Sequence, residues 1–258
     1  VYGYSRQNYY KRKKVEVRQR KDQELVLRQV KQIRHRQPKV GGRKLQKMID
    51  VTVGRDSLFN LLRDNGLLVK RRKKYIYTTN SRHRFKKYKN LIKDKEPTGP
   101  EQQYVSDITY IDTREGYRYL SLITDRYSRK IVGHELSLSL SVEGSLKALQ
   151  MAIKAVADPE RLIHHSDRGL QYCSNAYVGL LKKNKIKISM TEENHVYENA
   201  MAERVNGILK QEFLLGVKLP SYYMAKRMVK EAVQIYNEER LHMSIGYVTP
   251  QQKHLNFN

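Results

Sequence analysis

The chain has 258 residues, a formal net charge of +25 and 39% hydrophobic residues, enough for one large domain or a small domain beside a core of about 150. Cys173 is the only cysteine, which excludes internal disulfides and a Cys-rich zinc site and fits a reducing cytosol. Apolar runs are only a few residues long, so none can span a bilayer, and no signal-peptide pattern opens the chain.

The charge is concentrated at the front. Residues 1–100 carry 30 Lys+Arg against 8 Asp+Glu, while the remaining residues carry 21 against 18. Val1 to about Arg20 is basic and Tyr-rich, with little periodicity. From Lys21 to Arg36, Leu25, Val26, Val30 and Ile33 recur at helical spacing. Pro38 and Gly41-Gly42 break that pattern. A short helix with Leu45, Met48 and Ile49 follows, then a third from Gly54 to Asn65 with Leu58, Phe59, Leu61 and Leu62 inward and Gly66 as its stop. Arg55, Asn60 and Arg63 then face outward. The pattern reads as a helix-turn-helix within a DNA-binding region over 1–69, although a structural three-helix bundle has the same signature. Arg43, Arg55 and Arg63 are its candidate DNA contacts. Residues 70–100 form a basic linker, with Arg71, Arg72, Lys73 and Lys74 as further candidates, and are expected to be extended and to order on DNA. Interleaved aromatics (Tyr75, Tyr77, Phe85, Tyr88) suit a polyanion whose bases can stack. A membrane surface is the weaker partner, because no amphipathic anchor accompanies the charges.

After Pro97-Thr98-Gly99-Pro100 the register changes. Tyr104–Ile111, Tyr117–Thr124 and Lys130–Ser137 read as strands, the first two split by Arg114-Glu115-Gly116. Val142–Val156 is helical, Arg161–His165 a strand, Ser174–Lys183 a helix, Lys187–Met190 a short strand and Asn199–Phe213 a helix. Three meandering strands followed by strand–helix alternation imply an α/β domain over 101–258 with a mixed five-stranded sheet.

Three acids stand out. Asp107 lies inside a strand, where Asp is depleted. Asp167 follows the short run Leu162–His165, and Glu203 lies 35 residues further on, with Asp167 and Glu203 excluded, in the last helix. Carboxylates from two strands and a helix suit hard cations such as Mg²⁺. Each has a bland alternative: an edge Asp facing water, or a Glu on a solvated helix face. At 100° per residue, Met201, Ala202, Val205, Ile208, Leu209 and Phe213 form the buried stripe, and Asn199, Glu203, Gly207 and Lys210 the opposite side. Lys210 would sit two turns from Glu203, placed to hold a DNA phosphate. Asp112 and Asp125 read as structural, the latter paired with Arg126, and His164 and His165 as packed or hydrogen-bonding residues.

The segments Val105-Ser106-Asp107-Ile108-Thr109-Tyr110-Ile111, His165-Ser166-Asp167-Arg168-Gly169 and Glu198-Asn199-Ala200-Met201-Ala202-Glu203-Arg204, with Leu209-Lys210-Gln211-Glu212, resemble the signature blocks of bacterial insertion-sequence-three family transposases. Tyr236-Asn237-Glu238-Glu239-Arg240-Leu241-His242 with Gly246-Tyr247-Val248-Thr249-Pro250 is similar to that family's closing motif. Gly3-Tyr4-Ser5-Arg6 and Gly42-Arg43-Lys44-Leu45 echo its N-terminal pattern. Tyr104 stands where Trp is common, Glu198 where Asp is usual and Leu241 where Pro is frequent; none of these removes an acid.

The resemblance implies a ribonuclease-H-like, retroviral-integrase-like core preceded by the small all-α region. It also implies catalysis and metal binding by Asp107, Asp167 and Glu203, with two Mg²⁺ per site and Mn²⁺ as a substitute. Asn199, Arg168 and Lys210 become DNA-contact candidates. The expected partners are transposon terminal inverted repeats and target DNA, bound by a homo-oligomer in a bacterial cytoplasm, associated with the nucleoid. An upstream-frame fusion partner would account for Val1 in place of Met. Two alternatives stay open: a ribonuclease-H-like nuclease that does not join ends, and a catalytically dead DNA-binding regulator. No Gly-rich phosphate loop with Lys and Ser/Thr exists, so ATP use is not expected, and no Arg/His frame marks any of the 19 tyrosines as a nucleophile.

Overall fold

The computed structural model describes residues 5–69, 84–192 and 199–257. The chain divides into two compact units, Val1–Arg72 and Lys73–Asn258. Among the described residues, no helix is long and apolar enough to cross a membrane.

The first unit is helical. Helix α1 spans Arg6–Arg36, much longer than the apolar periodicity indicates. Ser5 caps it by accepting from Asn8 N–H at 3.3 Å. Its first half is exposed and is mostly Arg, Lys and Gln, which lose little side-chain freedom in a helix. Only Val26 and Val30 of its second half are buried. They pack with Val40, Leu45, Ile49, Leu58 and Leu62 from helices α2 (Gly42–Met48) and α3 (Arg55–Asp64) and the turns around them. A Cβ on Gly42, at the start of α2, would lie 2.8 Å from the Phe59 ring, so a larger residue there would displace that ring. Arg34 closes the unit by donating to the carbonyls of Leu67 at 2.6 Å and Val40 at 3.3 Å.

The second unit is a five-stranded sheet in the order β3-β2-β1-β4-β5. The strands are β1 (Gln103–Thr113), β2 (Gly116–Asp125), β3 (Ile131–Ser137), β4 (Ile163–Ser166) and β5 (Lys187–Met190). β1–β2 and β2–β3 are antiparallel; β1–β4 and β4–β5 are parallel. The parallel pairs require crossovers, supplied by α4 (Val142–Ala155) and by α5 (Leu170–Cys173) with α6 (Asn175–Lys183). One face of the sheet packs on α4 and α6 through Tyr104, Ile123, Val132, Ala148, Leu149 and Tyr177. α4 approaches so closely that a Cβ on Gly133 would sit 2.2 Å from the Ala148 carbonyl oxygen, so this position takes glycine alone. The other face is covered by α7 (Ala200–Glu212) and α8 (Tyr222–Glu238), which bury Ile111, Leu120, Leu122, Val205, Leu209 and Tyr236.

Two devices tie the periphery to this sheet. Asn237 of α8 acts as a strand substitute at the β3 border: its Oδ1 accepts from Ile131 N–H and its Nδ2 donates to the Ile131 carbonyl, both at 2.9 Å. The described part of the 70–100 segment is docked and is no free tether. Leu91 N–H donates to Ser189 Oγ at 2.8 Å, and Met190 N–H to the Lys89 carbonyl at 3.4 Å. Ile92 is buried with Val105 and Ala202. Arg126 pairs with Glu96 at 2.6 Å and donates to the Lys95 carbonyl, so the ion pair expected between Asp125 and Arg126 is not what either group uses. Asp125 instead receives Glu101 N–H at 2.7 Å and Ser128 N–H at 2.6 Å, organising the turn after β2.

Candidate active site

β4 ends at Ser166, in register with Ser106 of β1. Asp107 and Asp167 each follow one residue later, so two carboxylates leave adjacent parallel strands at the same level. Neighbouring strands lie about 4.8 Å apart, which holds the two backbones side by side there. The same row continues outward: Ser166 is level with Met190 of β5, and Met190 bonds to Lys89.

The Asp107 carboxylate is half-buried and held at both oxygens. Ile108 N–H donates to Oδ1 at 2.9 Å, and Asn206 Nδ2 to Oδ2 at 2.8 Å. Burial, then the Asp167 charge, push its pKa up to about 7, with a smaller push from Glu203; the two hydrogen bonds pull it down. Asp167 Oδ1 accepts from Gly169 N–H at 2.9 Å. Glu203 sits in the first turn of α7 and is exposed; partial desolvation and the Asp167 charge raise its pKa. All three acids thus feel one another. Among the described residues, no three His, Cys, Asp or Glu side chains are already spaced to hold a metal ion. The donor set nonetheless suits a hard cation: three carboxylates, no sulfur or imidazole, and mutual repulsion that positive charge would relieve.

The other residues singled out by sequence fall in different places. Lys210 is half-buried; burial lowers its pKa, and the Asp107 charge pulls it back up, so its ammonium shares the field of the acids. Arg168 is half-buried directly after Asp167. Asn199 is not on the exposed side of the helix as the periodicity predicts. It is buried at the start of α7, where its Nδ2 donates to the Ser106 carbonyl at 3.1 Å and so joins the helix to β1 beside the first acid. Arg43, Arg55 and Arg63 are exposed in the first unit, Arg55 paired with Asp56 at 2.8 Å and Arg63 bonded to Asn60 at 2.6 Å. Arg71, Arg72, Lys73 and Lys74 lie outside the described residues. His164 and His165 are buried and bonded: His164 Nε2 to Ser106 Oγ at 2.7 Å and Tyr177 OH at 2.9 Å, His165 Nδ1 to Ser189 Oγ at 2.8 Å. Burial, chiefly, lowers them to about 3 and about 4, so both are neutral struts beneath the acids. Asn206 is missed by the sequence reading. The signal for it was a polar residue at a buried position of the α7 stripe, one turn after Glu203.

Comparison with known proteins bears on this arrangement. Residues 97–195 match an integrase core domain family, and residues 184–250 match a second family of the same description. The chain is 36% identical over 258 residues to the uncharacterized 31 kDa protein of insertion element IS600 from Shigella sonnei, spanning 97% of this chain and 94% of that one. It is 33% identical over 193 residues to transposase InsF for insertion sequence IS3A of Escherichia coli (strain K12), covering 74% of this chain and 67% of that protein. The chain belongs to the IS3-family transposases. Its fold is ribonuclease-H-like, as in retroviral integrase cores. The HTLV-2 integrase catalytic core domain, solved in complex with magnesium, matches with a TM-score of 0.50 at 19% identity, over 62% of this chain and 99% of that one. A chain of the simian T-cell lymphotropic virus intasome matches with a TM-score of 0.55 at 16% identity, over 85% of this chain and 72% of that one. In this transposase family member, the closing motif also finds its place. Arg240 pairs with Glu212 through two 2.8 Å contacts at the far end of α7, and Tyr236 OH donates to the Arg129 carbonyl at 2.9 Å.

Proposed function

We propose that this transposase cleaves DNA strands at the ends of an insertion sequence and joins them to target DNA, using Asp107, Asp167 and Glu203 as its catalytic acids. The observation that supports this most is the level placement of Asp107 and Asp167 on adjacent strands, each raising the cost of the other's charge. The three acids would hold two Mg²⁺, or Mn²⁺. When bound, such cations supply activation of the attacking oxygen and stabilisation of the leaving 3′-oxygen.

The chain's own groups do the rest. Asp107 is fixed in orientation by its two donors. Glu203, exposed on the first turn of α7, has the side-chain freedom to close the set. Lys210 presents an ammonium beside Asp107 to a non-bridging phosphate oxygen. Exposed Lys86, Lys87 and Lys89 lie in the docked segment, where the Lys89 carbonyl accepts from Met190 of β5, and would carry flanking phosphates. Exposed Arg43, Arg55 and Arg63 of the first unit, with Arg71, Arg72, Lys73 and Lys74 at the junction of the two units, would grip DNA, and copies of the chain would assemble on the two ends. The test is Asp167→Asn: strand transfer of end-sequence DNA should fall by at least about 10³-fold with DNA binding retained. Transfer near the wild-type rate rejects the assignment, and cleavage without joining in the wild type would leave only a nuclease.

A further inference from the structure

Five residues of α7 are buried: Ala202, Val205, Ile208, Leu209 and Asn206. The first four are apolar and fill the core; Asn206 is 4% exposed and is turned toward Asp107. Its Nδ2 lies 2.8 Å from Asp107 Oδ2, while the other carboxylate oxygen is held by the Ile108 backbone. That contact decides which way the amide faces, because turning it over would set Oδ1 against the carboxylate. Oδ1 is therefore assigned, and it is buried without a hydrogen-bond partner among the described residues. A buried acceptor left unpaired is destabilising, and a leucine of similar volume in this stripe would avoid the loss. Being on the same amide carbon as Nδ2, Oδ1 lies in the immediate neighbourhood of Asp107, where positive charge is wanted.

We propose that Asn206 is a fourth member of the cation site, fixing Asp107 through Nδ2 and offering Oδ1 as a neutral oxygen to the same ion. This rests on the reading of Asp107, Asp167 and Glu203 as cation ligands. It adds a residue that touches the site without contributing charge, so cation affinity depends on an amide as well as on three carboxylates. The asparagine does two jobs at once: it removes one rotational freedom from the acid and replaces part of the ion's lost hydration. Loss of a group that orients a metal ligand lowers affinity about 10–100-fold.

The experiment is thermal stabilisation of the full chain by Mg²⁺, repeated with Mn²⁺, in the absence of DNA. Asn206→Leu should fold, and its half-saturating Mg²⁺ concentration should rise by about 10–100-fold over wild type. Asn206→Ala serves as the second variant, with the same shift expected. A half-saturation point unchanged in either folded variant overturns the proposal and leaves Asn206 a packing residue, whatever its melting temperature without metal. Asp167→Asn runs alongside. If wild type and Asp167→Asn respond to Mg²⁺ and Mn²⁺ identically, the three-acid reading itself falls, and this inference with it; if only the asparagine variants match wild type, the inference alone fails.

Discussion

Asn206 donates to Asp107 at 2.8 Å across the gap between α7 and β1, so the helix that carries Glu203 is bonded directly to the first acid. Besides placing the acids, this contact partly offsets a charge that the fold holds at a cost.

That cost sets a pH dependence. The Asp107 pKa is raised from 3.8 to about 7. Above pH 7 the folded chain carries an ionised carboxylate that the unfolded chain solvates better. As pH falls through 7 the folded form takes up a proton first, so stability rises, and the gain is complete near pH 4, where both forms are protonated. Asp107→Asn should therefore stabilise the metal-free protein by about 2–4 kcal/mol at pH 8 and by almost nothing at pH 4. Melting temperatures in chelator at the two pH values check this. Equal effects at both would mean that the carboxylate is not strained.

Arg240 and Glu212 form a nearly buried bidentate pair, with the Arg240 side chain 4% exposed. Arg240→Met leaves the Glu212 carboxylate without its counter-charge and should cost about 3–5 kcal/mol. The double change Arg240→Met with Glu212→Met should recover most of that loss, as read from urea midpoints. A single variant with the wild-type midpoint would show that the pair is not holding the chain just after α8 against α7.

Gly207 lies in the middle of α7 with nothing within 4 Å of an added Cβ. Alanine there should stabilise the helix by about 0.5–1 kcal/mol. If the bare backbone is kept for the approach of a DNA strand, Gly207→Ala should also weaken binding to end-sequence DNA. A gain in stability with unchanged DNA affinity would remove that role from Gly207.

DNA affinity should depend steeply on salt. With roughly six to ten phosphates contacted, binding should weaken about 10³–10⁵-fold between 50 and 200 mM salt. Replacing Lys86, Lys87 and Lys89 with alanine should lower the logarithmic salt slope by about 3 without altering the melting temperature, since all three are exposed. An unchanged slope would place the DNA elsewhere on the catalytic unit.

The strands were legible because β1, β2 and β3 alternate or run apolar between turn residues, and Asp107 drew notice because Asp is out of place inside a strand. Three features were not. The first half of α1 buries nothing, so it has no apolar period to read; good helix formers and the Ser5 cap specify it instead. The docking of residues 84–96 depends on partners such as Ser189 and Arg126, which are distant in sequence. Asn199 and Asn206 were hidden for the opposite reason. A helical wheel sorts residues by polarity, and these two amides are buried because the polar groups they serve, the Ser106 carbonyl and the Asp107 carboxylate, are themselves in the interior.

The amide of Asn237 has a consequence for how molecules of this transposase can meet. By occupying both backbone groups of Ile131 it blunts an outer margin that would otherwise template a sixth strand from a neighbour. Tyr222 does the same for the Leu136 carbonyl at 3.0 Å. The chain is thereby protected at this margin from fusing sheet to sheet with a second copy.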